Sequence, residues 1–333
     1  MRMSFDEFKQ EILNRKAEYL TKEMENAQVQ ITTVTKLNNS YEALVIRTPE
    51  NTVGVSVNLD DLYKDSIGGM NDVIRKMRDT IDSLEYDAIR KLTESENNLL
   101  NYSDVKESLF IRCSNTERNA LFLETCPHQD MGGVVLTVHV GLSWEPDSIP
   151  NYSAVVTNDM LRSWNITEEK LFTDARENTQ KRLPVKMGRL SDFLMQAADT
   201  NELILPDDGP DIFVLTNGNG YFGASAAFYP DVLTKIHEGL GNYFMLPSSV
   251  HEWLIVPEDM EMNVAELERM VRDVNRYEVS EADFLSDDVY HFDGSRMELA
   301  RDYEKGLKKD TMIGISEKPS AGEEKKADIA FTM

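Results

Sequence analysis

Apolar residues recur along this chain with two different periods, and the order in which those periods follow one another restricts the architecture. Met70, Val73, Ile74, Met77, Ile81, Leu84, Ala88 and Leu92 repeat at helical spacing, with charged residues on the opposite side. That stripe predicts a core-facing helix over residues 70–92. Upstream, Val29, Ile31, Thr33 and Thr35 alternate as in a half-buried strand, and strand-like runs follow at residues 42–47 and 53–59. Asn38-Asn39 between the first two runs predicts the turn of a hairpin or meander. A first helix precedes them, with Phe5, Phe8, Ile12, Tyr19 and Leu20 near helical spacing and Ser4 and Glu7 placed for a capping box.

Further strands are expected at residues 108–113, 133–142, 153–157 and 211–216, and strand-like runs at 243–246 and 253–256. Helices are expected at residues 115–123, 158–164, 168–181 (capped by Thr167) and 263–276, with another opening after Tyr229 with Pro230 at its first position. No regular strand–helix–strand alternation emerges, so the fold class is α+β: mixed, largely antiparallel sheet(s) with packed helices, in two lobes. Expected boundaries are an N-terminal lobe over residues 1–182, a C-terminal lobe over 183–304 and a flexible tail over 305–333, where mixed charge replaces periodicity.

Charge narrows the function classes. The 333 residues hold 35 Lys and Arg against 59 Asp and Glu, a net charge of −24. Such a field repels nucleic-acid backbones and anionic membranes, so neither is an expected partner. The densest basic cluster, Lys181, Arg182, Lys186 and Arg189, is flanked by acids and lacks interleaved aromatics. No stretch approaches the roughly 20 apolar residues that span a bilayer. The first ten residues lack the apolar run of a signal peptide. Two cysteines, Cys113 and Cys126, make no disulfide framework and no zinc pattern, so no metal is expected and the reading is cytoplasmic.

Three motifs carry chemistry. Gly218-x-Gly220-x-x-Gly223 follows a strand, but Pro230 interrupts any helix begun at Gly223, and a dinucleotide site needs that helix. The simpler expectation is strand–turn–strand, and no cofactor is expected. Pro247-Ser248-Ser249-Val250-His251-Glu252 places hydroxyls, an imidazole and a carboxylate within a few residues. Ser249 and His251 would share a face of an extended segment and Glu252 would point away, and Ile255 stands where a zinc-protease helix needs its second histidine. The segment is either a tight turn anchored by His251 or a site with His251 as base, Ser248 or Ser249 as nucleophile, and His128 or Glu252 in support. Cys126-Pro127-His128 could pair a thiol with an imidazole, though no oxyanion donor can be named for it.

Phe213-Val214-Leu215-Thr216-Asn217, Gly223-Ala224, Phe228-Tyr229 and the Leu246-Pro247-Ser248-Ser249-Val250-His251-Glu252 stretch together resemble a bacterial family known as domain of unknown function 5688. The likeness continues through Met270–Asn275 and Leu285–Tyr290, and upstream Pro127-His128, Thr157-Asn158, Trp164, Asn178-Thr179 and Pro184 fall in that family's order. It spans residues 29–303, and a second uncharacterised family shares a similar Pro-Ser-Ser-x-His-Glu segment. The resemblance implies a shared fold in a cytoplasmic bacterial protein and supplies no reaction, cofactor or partner. At Cys126 that family more often carries an aliphatic residue, which weighs against a cysteine nucleophile. Two functions stand side by side: a non-catalytic protein-interaction or regulatory domain, whose partner would be another protein, and a hydrolase-like enzyme built on His251 with Ser248 or Ser249.

Overall fold

A computed structural model describes residues 3–49, 55–82, 99, 101–141, 153–197, 212–260 and 262–307. Among them, thirteen strands form three sheets in which every pairing is antiparallel, with helices packed against them. The fold is α+β.

The first sheet is the expected meander of β1 (Gln28–Lys36), β2 (Asn39–Arg47) and β3 (Val55–Asn58). Its turn is Leu37-Asn38 rather than Asn38-Asn39, because Lys36 pairs with Asn39 and only Asn38 takes the left-handed conformation, at φ 61°. Asparagine tolerates that region better than most side chains. Helices α1 (Phe5–Asn14) and α2 (Met70–Asp82) cover the sheet. The α1 capping box forms as expected, with the Glu7 carboxylate on the Ser4 amide at 2.8 Å. From the stripe of α2, Val73, Ile74, Met77 and Ile81 are buried against Phe8, Ile12, Leu44 and Ile46. Leu84, Ala88 and Leu92 lie outside the described residues.

The second sheet sets β4 (Leu109–Asn115) beside β6 (Val134–Gly141). Short strands β5 (His128–Asp130) and β7 (Ser153–Val155) pair with the other edge of β6. Every residue of β6 is buried, which is the mark of a strand covered on both faces. The third sheet runs β13 (Met297–Leu299), β12 (Tyr290–Phe292), β10 (Tyr243–Ser249), β11 (Glu252–Pro257), β9 (Phe213–Asn217), β8 (Val185–Arg189).

The largest core lies between the second and third sheets. Leu109, Ile111, Cys113, Leu136 and Val138 from the second meet Leu215, Tyr243, Trp253 and Ile255 from the third. Helix α3 (Glu168–Arg182) adds Leu171, Phe172 and Ala175. Residues on both sides of 182/183 therefore share one core. On the far face of the third sheet, α5 (Val264–Tyr277) buries Val264, Leu267 and Val271 against Phe244, Leu246 and Val256. Between them in sequence, α4 (Val232–Leu240) starts two residues later than Pro230 suggests, because Asp231 at φ 63° keeps the preceding dipeptide in a turn. Residues 300–307 are helical, and the remainder of the expected tail lies outside the described residues.

Candidate functional site

The β10–β11 connection is a knot of hydrogen bonds. The two strands pair from Tyr243 with Pro257 to Pro247 with Trp253, and a bulge then shifts the register so that Ser249 faces Glu252. Val250 and His251 make the reversal. The Val250 amide donates to the Asp283 carbonyl at 2.8 Å, and the Val250 carbonyl accepts from the Ala224 amide at 3.2 Å. The His251 amide donates to Ser249 Oγ at 3.1 Å, and the His251 carbonyl accepts from Thr216 Oγ1 at 2.8 Å. Thr216, Ala224 and Asp283 are all tied to this one turn.

The imidazole of His251 uses both nitrogens. Nδ1 accepts from the Phe222 amide at 3.0 Å, so that nitrogen carries no proton. Nε2 lies 3.2 Å from Asp283 Oδ1 and donates to it. Asp283 is held in turn by the Ser280 hydroxyl on its other oxygen at 2.8 Å. The ring is 21% exposed and lies against Tyr221 and Phe222, with centroids 4.7 and 5.7 Å apart.

The sequence-predicted partners take other roles. Ser248 Oγ donates to Glu252 Oε1 at 3.2 Å, and Ser249 Oγ is occupied by the His251 amide. Neither hydroxyl is hydrogen-bonded to the imidazole. His128 stands at the exposed start of β5 with Nδ1 3.0 Å from the Cys126 carbonyl, and no hydrogen bond or ring contact among the described residues joins it to His251. Cys126 is buried with its Sγ toward the Phe122 carbonyl, and burial pushes its pKa up to about 11. A thiol held protonated in this way is a poor nucleophile.

The glycine-rich segment serves the same knot. Asn217 Oδ1 accepts from the Asn219 amide and its Nδ2 donates to the Tyr221 carbonyl, closing a side-chain-stabilised loop. No second strand follows the turn. Gly223–Phe228 forms a buried 3₁₀ run of small residues instead, on which Trp253 rests with Nε1 bonded to the Ala224 carbonyl at 2.8 Å. A Cβ on Gly223 would stand 2.0 Å from Thr216 Oγ1 and 2.5 Å from the His251 carbonyl. Close approach of two backbones therefore dictates that glycine.

One residue that the motifs did not flag sits beside this knot. The Arg112 guanidinium lies over the Phe222 ring, 3.5 Å from its centroid. Arg112 pairs with Thr137 across β4 and β6, and Thr137 pairs with His128 on β5. Phe110, His139 and Val155 form the next row. These side chains share the face opposite the central core. A cleft of about 410 Å³ opens there between the second sheet and the tip of the β1–β2 hairpin, lined by Thr35, Leu37, Arg112, Phe122, His139 and Val155 among others. His139 is buried with Nε2 3.1 Å from Thr137 Oγ1. Burial, followed by the Arg112 charge, holds its pKa well below the ordinary histidine value. Burial likewise pulls Arg112 down to about 10. The signal in the sequence was a lone arginine inside the apolar run from Leu109 to Cys113.

Asn38 locks the hairpin over the cleft. Its side chain donates to the carbonyls of Ala282 and Phe284 at 3.1 and 2.7 Å, and Asn119 bonds its amide and its Oδ1, both at 2.7 Å.

Residues 5–294 match the family of unknown function DUF5688. The chain belongs to that family. Neither the curated proteins nor the solved structures contain a match to it. The DUF5688 match encloses every part of the knot and the cleft, from the β1–β2 hairpin to Asp283. Among the described residues no cluster of His, Cys, Asp and Glu could hold a metal ion, and no helix is long and apolar enough to cross a membrane.

Proposed function

We propose that this DUF5688 chain acts as a non-catalytic binding or regulatory domain, with the Pro-Ser-Ser-x-His-Glu segment serving as architecture. The observation that carries this reading is the occupancy of His251. A general base needs a free lone pair aimed at the nucleophile's proton. Here that lone pair, on Nδ1, is taken by the Phe222 amide, and the serine hydroxyls bond elsewhere.

The His251–Asp283 pair does supply the base and orienter of a hydrolase in outline. It lacks a hydroxyl on the other nitrogen, so the hydrolase reading loses its first step. The acidic surface and the two buried free cysteines fit a protein-binding partner and a reducing cytoplasm.

His251→Ala tests the proposal by equilibrium unfolding. Removing a structural histidine costs about 1–3 kcal/mol when its partly buried partners, the Phe222 amide and Asp283, are orphaned. A catalytic one, free of the fold, would leave the midpoint where it is.

A further inference from the structure

Arg112 is a cation without an acid. The chain carries 59 carboxylates, yet among the described residues none pairs with this guanidinium, and its Nε is buried with no hydrogen-bond partner. The guanidinium stacks on the face of Phe222. Interior charges are ordinarily neutralised by a partner, because the desolvation of an isolated ion is severe. Stacking on an aromatic ring covers one face of the planar group and supplies no hydrogen-bond acceptor to its N–H donors.

The cleft that Arg112 lines has a division of character suited to a ligand. Arg112, Lys36 and Thr35 provide charge and hydroxyl, whereas Leu37, Phe122 and Val155 provide an apolar wall. Its volume, about 410 Å³, falls within the range of small-molecule sites. Among the described residues, no carboxylate lines it. Against a chain of net charge −24, that local absence of acids stands out.

From this geometry we infer that the cleft binds a small organic acid, its carboxylate paired with Arg112 and its apolar body against Phe122 and Val155. The inference rests on the reading of the protein as a binding domain and gives that reading a ligand class. Lys36 at the hairpin tip adds a second positive charge on the rim. The knot acquires a purpose as well: His251 holds the Phe222 backbone, and the Phe222 ring holds the guanidinium.

The test is calorimetric titration of the full chain with benzoate, hexanoate, inorganic phosphate and the neutral hexanol. Benzoate or hexanoate should bind, and hexanol should not. Arg112→Gln, checked for native circular dichroism, should weaken carboxylate binding by about tenfold or more, the least expected for a charge-assisted hydrogen bond. Should that variant fail to fold, Ser153→Trp, at an exposed position lining the cleft, should block binding while leaving Arg112 in place. Absence of carboxylate binding, phosphate binding in place of carboxylate binding, or unchanged affinity in both variants would overturn the proposal. Turnover of the bound acid would overturn the non-catalytic reading while leaving the site standing.

Discussion

The Phe222 amide donates to His251 Nδ1 at 3.0 Å while Phe222 itself sits at φ 52°, a conformation uncommon for a bulky side chain. The two facts belong together. A left-handed Phe222 turns its amide toward the imidazole and its ring toward Arg112, and the hydrogen bond holds that otherwise costly backbone in place. Both ring nitrogens of the histidine are thereby engaged, one by the Phe222 amide and one by Asp283.

The three glycines of the Gly-x-Gly-x-x-Gly segment should respond to alanine very differently. A Cβ on Gly218 meets only ordinary contacts with Pro184, the nearest at 3.6 Å, so Gly218→Ala should stay within about 0.5 kcal/mol of the parent. Gly220 has open space but φ +71°, which costs about 1–2 kcal/mol with a side chain. Gly223→Ala collides with Thr216 and His251 and should cost 3 kcal/mol or more, roughly the upper end for overpacking. Urea unfolding of the three variants ranks them. Equal effects at all three positions would contradict the steric account.

Asn38 should couple the first sheet to the rest. Asn38→Ala removes three side-chain hydrogen bonds and places a Cβ-bearing residue without a polar side chain at φ 61°. Its cost should exceed about 2 kcal/mol. Asn38→Gly keeps the turn and should cost less. Amide exchange of the β1–β2 hairpin, measured alongside, should rise in both. An alanine variant with native stability and native exchange would show that the hairpin is held by other contacts.

Acid should destabilise the fold before its carboxylates titrate. His139 is buried, and that burial, with Arg112 nearby, holds its pKa well below 6.5. Burial also lowers His291, against an opposing pull from Glu258, whose Oε2 lies 3.5 Å from Nε2. In the unfolded chain both titrate near 6.5. Below that pH the unfolded state takes up protons that the folded state refuses, so stability is full above it and falls as pH drops. Each such histidine contributes a slope of up to about 1.4 kcal/mol per pH unit. Unfolding free energies at about pH 7.5 and about pH 5.5 should differ accordingly, and His139→Gln should flatten part of the slope. A level profile, or one unaltered in that variant, would count against a neutral interior His139.

Much of the scaffold was legible in the sequence where local pattern and tertiary environment agreed. Ser4 with Glu7 and Thr167 cap the helices they precede as expected, since capping depends on only a few neighbouring residues, whereas Thr157, expected in a strand, and Asn263, expected inside its helix, are caps as well. The first strand of the meander followed from alternation, and β10 and β11 were legible as strand-like runs. β8, β12 and β13 were not, because strands of three to five residues carry too little periodicity. The 3₁₀ run over Gly223–Phe228 was also hidden, as small residues owe their conformation there to Trp253 and the β10–β11 turn.

The site was half legible. The sequence pointed to His251 and left anchor and base as alternatives, but Asp283 lies 32 residues away and Phe222 29, so neither partner could be read from spacing. Arg112 matters only because β4 turns it toward a face that the hairpin tip closes, and no local pattern reports that encounter.

Equilibrium denaturation of His251→Ala is the most direct trial of the claim that the imidazole is part of the frame. The account predicts a cooperative transition shifted to lower denaturant, with a loss of about 1–3 kcal/mol and an unchanged slope. A variant as stable as the parent would contradict it.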